Sequence, residues 1–586
     1  MIFISLLIFI VAIALPSFKK QLSPILLTRI STIILIYSGA LAFNSLYIQS
    51  IGSGIGIYSG LFHVSVITQV LDSFLLFIAA LILIPRPGIL EHSNNTAGFI
   101  GGGQPNFLDQ GRGGQTASGS VKIINNDLSS CLGDKYSLII LFSTLGSLLL
   151  LSSADLLSMY LSIELQSFGV YILATLFRDS KLATSAGLKY FLLGGFSSCL
   201  ILLGSGLVYS YTGLTNLESI YSLISVSNNT SLTQGLTLGL IIIIIGFLFK
   251  IAAAPLHNWA PDVYDESPTI VTIWLTIMPK IGILIFLLDL FIGGTSYQIY
   301  NNILSGVQIN SFNNEIYVSS IVGGDILKNL LLLSSLLSLI IGTVVGLAQS
   351  RIKRLLAYST ISHIGFILLS LSINTEQSID SFLFYIIQYS ITNLNTFLII
   401  IALGYVIHNS MNLNSKLNEI ENSKISQLRK EKGLETDIKE ISELKGQFYS
   451  NPLLSLSLSV CLFSMAGVPP LLGFFSKQFV LYSAIQSGYY FMSIVGILVS
   501  VISASYYLKI IKVLHSEPEN LNDNNNSILP ASGHGQSLNN SNSISTISSF
   551  HSYLISILTL SILLFILKPS ILLNSTQLLS LSLFNF

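Results

Sequence analysis

Residues 240–290 read LIIIIIGFLFKIAAAPLHNWAPDVYDESPTIVTIWLTIMPKIGILIFLLDL. Two apolar runs flank a bend rich in proline and acidic residues, and each run carries a lysine amid hydrocarbon, Lys250 and Lys280. A lysine at the centre of a membrane helix costs about 2.5–3.5 kcal/mol even on insertion-based scales. Nothing nearby needs it for solubility, so by default it marks a charge or proton pathway. Pro255 lacks a backbone donor and clashes one turn back, which predicts a helix break near Ala253–Pro255. Broken backbone at membrane depth survives only where protein or a water-filled cavity surrounds it. A buried ammonium beside a helix break is the outline of an ion-conducting centre.

The whole chain fits that outline. Its 586 residues are 51% hydrophobic and 9% charged, where a soluble domain carries about 25% charged residues. Mean hydropathy is +0.73. This is the composition of a polytopic membrane protein whose immediate partners include membrane lipids. The formal net charge is zero, so no nucleic-acid partner is expected. Cys131, Cys199 and Cys461 are scattered, with the spacing of neither a disulfide framework nor a zinc or iron–sulfur site. The opening MIFISLLIFIVAIAL has no basic residue before it, and Lys19 and Lys20 follow it. That charge order predicts a retained first helix rather than a cleaved leader.

Apolar runs of roughly 17–25 residues give about fourteen membrane helices in an all-α fold. Residues 1–85 read as an N-terminal three-helix segment and 86–135 as a long Gly-rich loop. Residues 136–291 hold five helices and 327–513 another five, with a charged insertion at 410–450. An Asn/Ser-rich, disordered loop is expected over 514–547, then a C-terminal helix and tail over 548–586. Within the charged insertion, Leu434, Ile438, Ile441 and Leu444 fall at helical spacing and predict a surface helix. Numbering the loops alternately puts nearly all lysines and arginines on one side, with Lys328 and Lys568 as exceptions. The positive-inside rule then places the long loops in the cytoplasm or matrix and both termini opposite.

The two sets of five read as a repeat. Each has a Pro-broken helix in fourth place that carries a lysine: FKIAAAPLH around Lys250, and SMAGVPPLLGFFSKQF, with Pro469 and Pro470 before Lys477. An odd number of helices per repeat turns the second copy upside down. Matched broken helices in inverted halves point to a transport site at the midplane.

Other buried polar groups join the candidate site. Glu164 lies in an apolar run, and burial predicts that it is paired, with one of the lysines as partner. A pair that opens and closes shifts the pKa of its neighbour, so pairing and function are compatible. Lys189, one turn into its helix, has two open readings: a lysine that snorkels to the basic side or a member of the buried row. His363, two turns into a helix near Ser359 and Ser362, is read both as a structural histidine and as a proton relay. Asp262, Asp265 and Glu266 in the bend are expected to cap a helix or form a solvated acidic loop, in preference to a metal site. Asp72, Asp155, Asp289 and Asp325 are expected near helix ends, as caps or interface charges.

Six stretches carry a family resemblance: SIELQSFGVYILA, AGLKYFLLGGFSS, FKIAAAPLHNWAPDVYDESPT, IMPKIGIL, RLLAYSTISHIGF and LFSMAGVPPLLGFFSKQFVL. Together, over about residues 136–513, they resemble the antiporter-like subunits of respiratory complex I, the proton-pumping NADH:ubiquinone oxidoreductase. Lys477 sets the chain apart from a sister subunit with glutamate at the matching place, and its short tail from another that adds a long lateral helix. The resemblance implies a half-channel in each repeat and a central polar axis joining them. Glu164 matches the key carboxylate and Lys250 its partner, Lys189 and Lys280 match further axis lysines, Lys477 the lysine of the exit repeat, and His363 the linking chain. It also implies a mitochondrial inner-membrane location and other membrane-arm and accessory subunits of the complex as partners. FMN, iron–sulfur clusters and ubiquinone are expected on those other subunits, with no cofactor or metal in this chain. The long loops at 86–135, 410–450 and 514–547 depart from compact members of the family, so nothing about them carries over.

Two other functions are compatible with the same residues. One is a cation/proton antiporter subunit of the Mrp type, which shares the core. The other is a non-pumping structural subunit whose lysines serve as ion pairs. An integral membrane enzyme acting on lipid would need a catalytic constellation at the interface, and none is visible.

Overall fold

The computed structural model describes residues 1–15, 24–48, 54–84, 135–178, 180–226, 230–304, 317–415, 437–517 and 548–584. The Gly-rich loop, Leu434 with most of the charged insertion, and nearly all of the Asn/Ser-rich loop lie outside them. In hydrocarbon every backbone N–H and C=O must find a partner within the protein, so apolar segments close into helices. In chain order these are α1 (Ile2–Ala14), α2 (Pro24–Ser45), α3 (Val66–Leu83), α4 (Lys135–Leu151), α5 (Leu156–Ala174), α6 (Lys181–Thr212), the short α7 (Leu217–Val226) and α8 (Thr230–Lys250). There follow α9 (Trp259–Glu266), α10 (Thr269–Leu304), α11 (Tyr317–Leu347), α12 (Ile352–Ile373), α13 (Glu376–Ser415), α14 (Pro452–Ala466), α15 (Leu472–Gln486), α16 (Tyr490–His515), α17 (Ser549–Leu563) and α18 (Ser570–Phe584). Among the described residues ten helices are long and apolar enough to cross a membrane, and four shorter apolar ones accompany them.

The two sets of five are α4, α5, α6, α8, α10 and α11, α12, α13, α14/α15, α16. In each set the first two helices form a packed hairpin. The sets are inverted, and one lysine shows it. Lys353, at the start of α12, donates to the carbonyl of Ser267, just past the first broken helix, and pairs with Asp437, just before the second. The first broken segment therefore ends on the face where the second begins. α10 over Thr269–Phe291 and α12 supply the centre of the bundle and are almost wholly buried there, whereas α6, α11 and α16 leave a wide apolar face outside.

Several local expectations are corrected. The break in the first broken helix runs from Ile251 to Asn258, so Lys250 is the last residue of α8 rather than an interior one. Asp262, Asp265 and Glu266 lie within the short helix α9 and form ion pairs; they are neither caps nor a solvated loop. Asp155 does cap α5, accepting from the Leu157 amide and the Thr215 hydroxyl. Asp72 instead sits in the second turn of α3, buried, because α3 starts at Val66. Asp289 is interior because α10 continues to Leu304, and Asp325 is interior to α11 for the same kind of reason. The 437–446 stretch forms no surface helix. It has no regular structure over Asp437–Lys439, bridges from an extended Glu440 to Arg351, and turns through a 3₁₀ helix at Ile441–Leu444. Ile438, Ile441 and Leu444 are buried against the bundle, which satisfies their apolar pattern without a helix. The short helices α7 and α9 and two further elements were not anticipated. A β-hairpin pairs Ile55–Ile57 with Phe62–Val64 and rests on the α4–α5 turn. The helix α18 follows Pro569 where only a tail was expected.

Candidate functional site

The site is built at the two helix breaks and along α10 and α12. At the end of α8, the Lys250 ammonium lies 3.4 Å from a Glu164 carboxylate oxygen on α5 and 3.4 Å from the Ser167 hydroxyl. Both side chains are mostly buried, at 7% and 16% exposure. The last carbonyls of a helix have no intrahelical donor and carry the negative end of its dipole. Placing a cation on the final residue of α8 uses that field, and the Trp259 indole takes the Phe249 carbonyl at 2.9 Å. A cavity with room for a water molecule lies here, lined in part by Gln166, Ser167, Tyr190, Ser197, Lys250 and Pro279. The expected Glu164–Lys250 pair is thus present.

Lys280 lies in mid-helix, buried to 1% exposure. Pro279 within α10 frees the Leu275 carbonyl from its helical partner. The ammonium donates to the Thr360 hydroxyl of α12 at 3.1 Å and sits 5.2 Å from the centre of the Tyr264 ring. Among the described residues no carboxylate is within ion-pair distance of it. One turn along α12 from Thr360, His363 is buried between two tyrosines: Nδ1 is 2.8 Å from the Tyr385 hydroxyl and Nε2 is 3.4 Å from that of Tyr507.

Lys477 closes the row. α14 stops at Gly467, whose φ of +90° lies in the left-handed region where a side chain is strained. The carbonyls of Met465 and Ala466, left without helical donors, each accept from the Lys477 ammonium at 2.9 Å. The same nitrogen is 5.8 Å from the Phe366 ring centre, and Phe366 stacks on Tyr385. His363 and Lys477 are therefore linked through Tyr385 and Phe366, and Lys280 of the first repeat meets the His363 helix one turn away, at Thr360.

Lys189 is not brought to this row. Its side chain is 42% exposed and pairs with Glu266 at 3.0 Å and Asp262 at 3.7 Å. The same acidic helix binds the second repeat: Asp265 accepts from Arg351 at 2.6 Å, and Asp262 pairs with Arg354. The hydrogen bond to Asp265 raises the pKa of Arg351 above its ordinary value. Asp262, Asp265 and Glu266 hold cations and join α6 to α12. Among the described residues no group of three or more His, Cys, Asp or Glu side chains could hold a metal ion.

Sequence reading missed Thr360, Tyr385, Tyr507, Lys353 and Asp437. Thr360 had a signal, since it lies three residues before His363 on the same helix face. Asp437 had none, because only tertiary folding buries it beside Lys353.

Fold and site together define a polytopic membrane protein of the antiporter-like class, with inverted five-helix repeats and ammonium groups seated at their breaks. A family model described as NADH:quinone oxidoreductase/Mrp antiporter, transmembrane, matches residues 153–312 and 315–503. The NADH-ubiquinone oxidoreductase chain 2 of Rhizopus oryzae is 45% identical over 604 residues, covering 100% of both chains. That of Marchantia polymorpha is 36% identical over 64% of this chain and 66% of its own length. Among solved structures, a chain of respiratory complex I from Thermus thermophilus with bound aureothin superposes with a TM-score of 0.64 at 22% identity, over 98% of this chain and 99% of that one. A chain of the Mrp complex from a Dietzia species gives 0.67 at 16% identity, over 100% and 96%; both likenesses concern the fold alone. The chain belongs to the NADH:quinone oxidoreductase/Mrp antiporter family, and within it to the chain 2 subunits of NADH-ubiquinone oxidoreductase.

Proposed function

We propose that this chain is a membrane-arm subunit of respiratory complex I that carries protons across the inner mitochondrial membrane, driven by NADH oxidation and ubiquinone reduction on other subunits. The observation that carries the reading is the seating of Lys280 and Lys477: buried ammonium groups held by hydroxyl, carbonyl and ring dipoles, without a neutralising carboxylate among the described residues. A purely structural lysine in a membrane is expected to carry a full ion pair, since an uncompensated charge there is so costly. A group that must gain and lose a proton needs a seat that tolerates both forms. Neutral donors and acceptors provide one.

In this account Glu164 and Lys250 hold one end of the row. Opening that pair changes the field at Lys280, because unit charges interact strongly in a dry medium. Lys280, His363 with its tyrosines, and Lys477 pass the charge on. The long loops face the matrix and both termini the intermembrane space. FMN, iron–sulfur clusters and quinone belong to other subunits of the complex. The test is NADH-driven proton translocation by the assembled complex carrying Lys280→Met or Lys477→Met. Loss of translocation with assembly retained supports the reading. Full translocation in either variant contradicts it.

A further inference from the structure

We propose that Asp437 and Lys353 form the mouth of a proton-uptake route that runs along one face of α10 to Lys280. The inference rests on Lys280 as a proton carrier and adds how it is reached.

The mouth lies at the surface. Asp437 is 13% exposed, and the chain neighbours of its partner Lys353, Arg351 and Arg354, are more than one-third exposed. Its carboxylate accepts from the Lys353 ammonium at 2.7 Å, from the Thr269 amide at 3.1 Å and from the Thr269 hydroxyl. Lys353 also donates to the Ser267 carbonyl at 2.9 Å. Inward from there, the Ser267 and Thr272 hydroxyls are 3.1 Å apart. Thr269, Thr272, Thr276 and Lys280 follow at intervals of three and four residues, so all lie on one face of α10. Each is buried to 1% exposure or less.

Thr269 to Lys280 spans eleven residues, about 16 Å of helix, and a four-residue step is about 6 Å, the gap one water bridges. The Tyr264 hydroxyl supplies a second, independent sign. It is buried and has no hydrogen-bond partner among the described residues. The Tyr264 ring faces Lys280, and its carbonyl is 3.4 Å from the Thr272 hydroxyl. Buried polar groups without a protein partner are where ordered water belongs.

The step balances without a co-reactant. A hydronium ion at the mouth gives a proton to Asp437 and leaves as water, and the resulting carboxylic acid loosens its hold on Lys353. The carboxylic proton then moves by O–H exchange, each hydroxyl or water accepting one proton and releasing another. The neutral Lys280 amine binds the last one and becomes ammonium.

The experiment uses the assembled complex in sealed vesicles, with the translocation lost in Lys280→Met as reference. Asp437→Asn keeps an oxygen that accepts from Thr269 and Lys353 but cannot carry a proton, Thr276→Val removes one hydroxyl at constant volume, and Asp437→Glu restores the acid. Asp437→Asn and Thr276→Val are expected to lower the Lys280-dependent translocation about tenfold, with Asp437→Glu recovering most of it. If Asp437→Asn fails to assemble, Thr276→Val decides. Unchanged translocation in Thr276→Val, or in Asp437→Asn, overturns the route while leaving the axis standing. Full translocation in Lys280→Met overturns the axis and the route together.

Discussion

Lys280 and Thr360 meet at 3.1 Å across the boundary between the two repeats. The lysine belongs to the last helix of the first repeat, and the threonine to the second helix of the second. Through this contact α10 of the first repeat reaches α12, the helix that carries His363.

Thr360→Val leaves the Lys280 ammonium one acceptor short at unchanged volume, and Thr360→Ser restores the hydroxyl. Losing one hydrogen bond to a buried charged group costs about 1.5–3 kcal/mol. NADH-driven translocation is expected to fall about tenfold or more in Thr360→Val and to recover in Thr360→Ser. Initial rates of vesicle acidification check this.

Glu164 and Lys250 form a mostly buried pair. Removing one partner strands a charge and costs about 3–5 kcal/mol, while replacing both with apolar groups of similar shape is close to neutral. Lys250→Met or Glu164→Leu alone is expected to lower the thermal stability of the assembled complex more than the double variant does. A double-mutant cycle on the melting temperature reads the coupling directly.

Gly473 marks where the second broken helix resumes. A methyl group there would sit 1.8 Å from the Ser464 carbonyl oxygen, which is backbone and cannot swing aside. Gly473→Ala is expected to cost about 3 kcal/mol or more by overpacking and to displace the seat of Lys477. The amount of assembled complex on native gels reports the loss.

Arg354 and Asp262 pair near the surface, each more than one-third exposed. Such pairs contribute about 0–1 kcal/mol and weaken with salt. Arg354 is also 3.5 Å from Asp265, which keeps Arg351 as a partner, so Arg354→Gln is expected to leave assembly intact and to shift melting by little, less so in high salt.

Much of this arrangement was legible in the chain. Pro255 and the paired prolines at 469 and 470 announced both breaks, because a missing donor has a local consequence that needs no tertiary context. Lys250, Lys280 and Lys477 announced the row, because a charge in an apolar run is rare enough to demand a reason. Partners were harder. Lys189 left two readings open, a snorkelling lysine or a member of the buried row, and its sequence neighbours could not show that α6 presents it to the acidic helix α9. Helical periodicity over 434–444 suited an amphipathic helix, yet the backbone at Glu440 pairs with Arg351 in extended form and buries Ile438, Ile441 and Leu444. Asp437 lies in a segment dense with both charge signs, where nothing local singles out the carboxylate that the fold sets against Lys353.

Proton translocation by complexes carrying Lys250→Ala or Glu164→Ala tests the central claim most directly. The account predicts that each variant assembles and that NADH-driven translocation is abolished. Full translocation in both variants would contradict it.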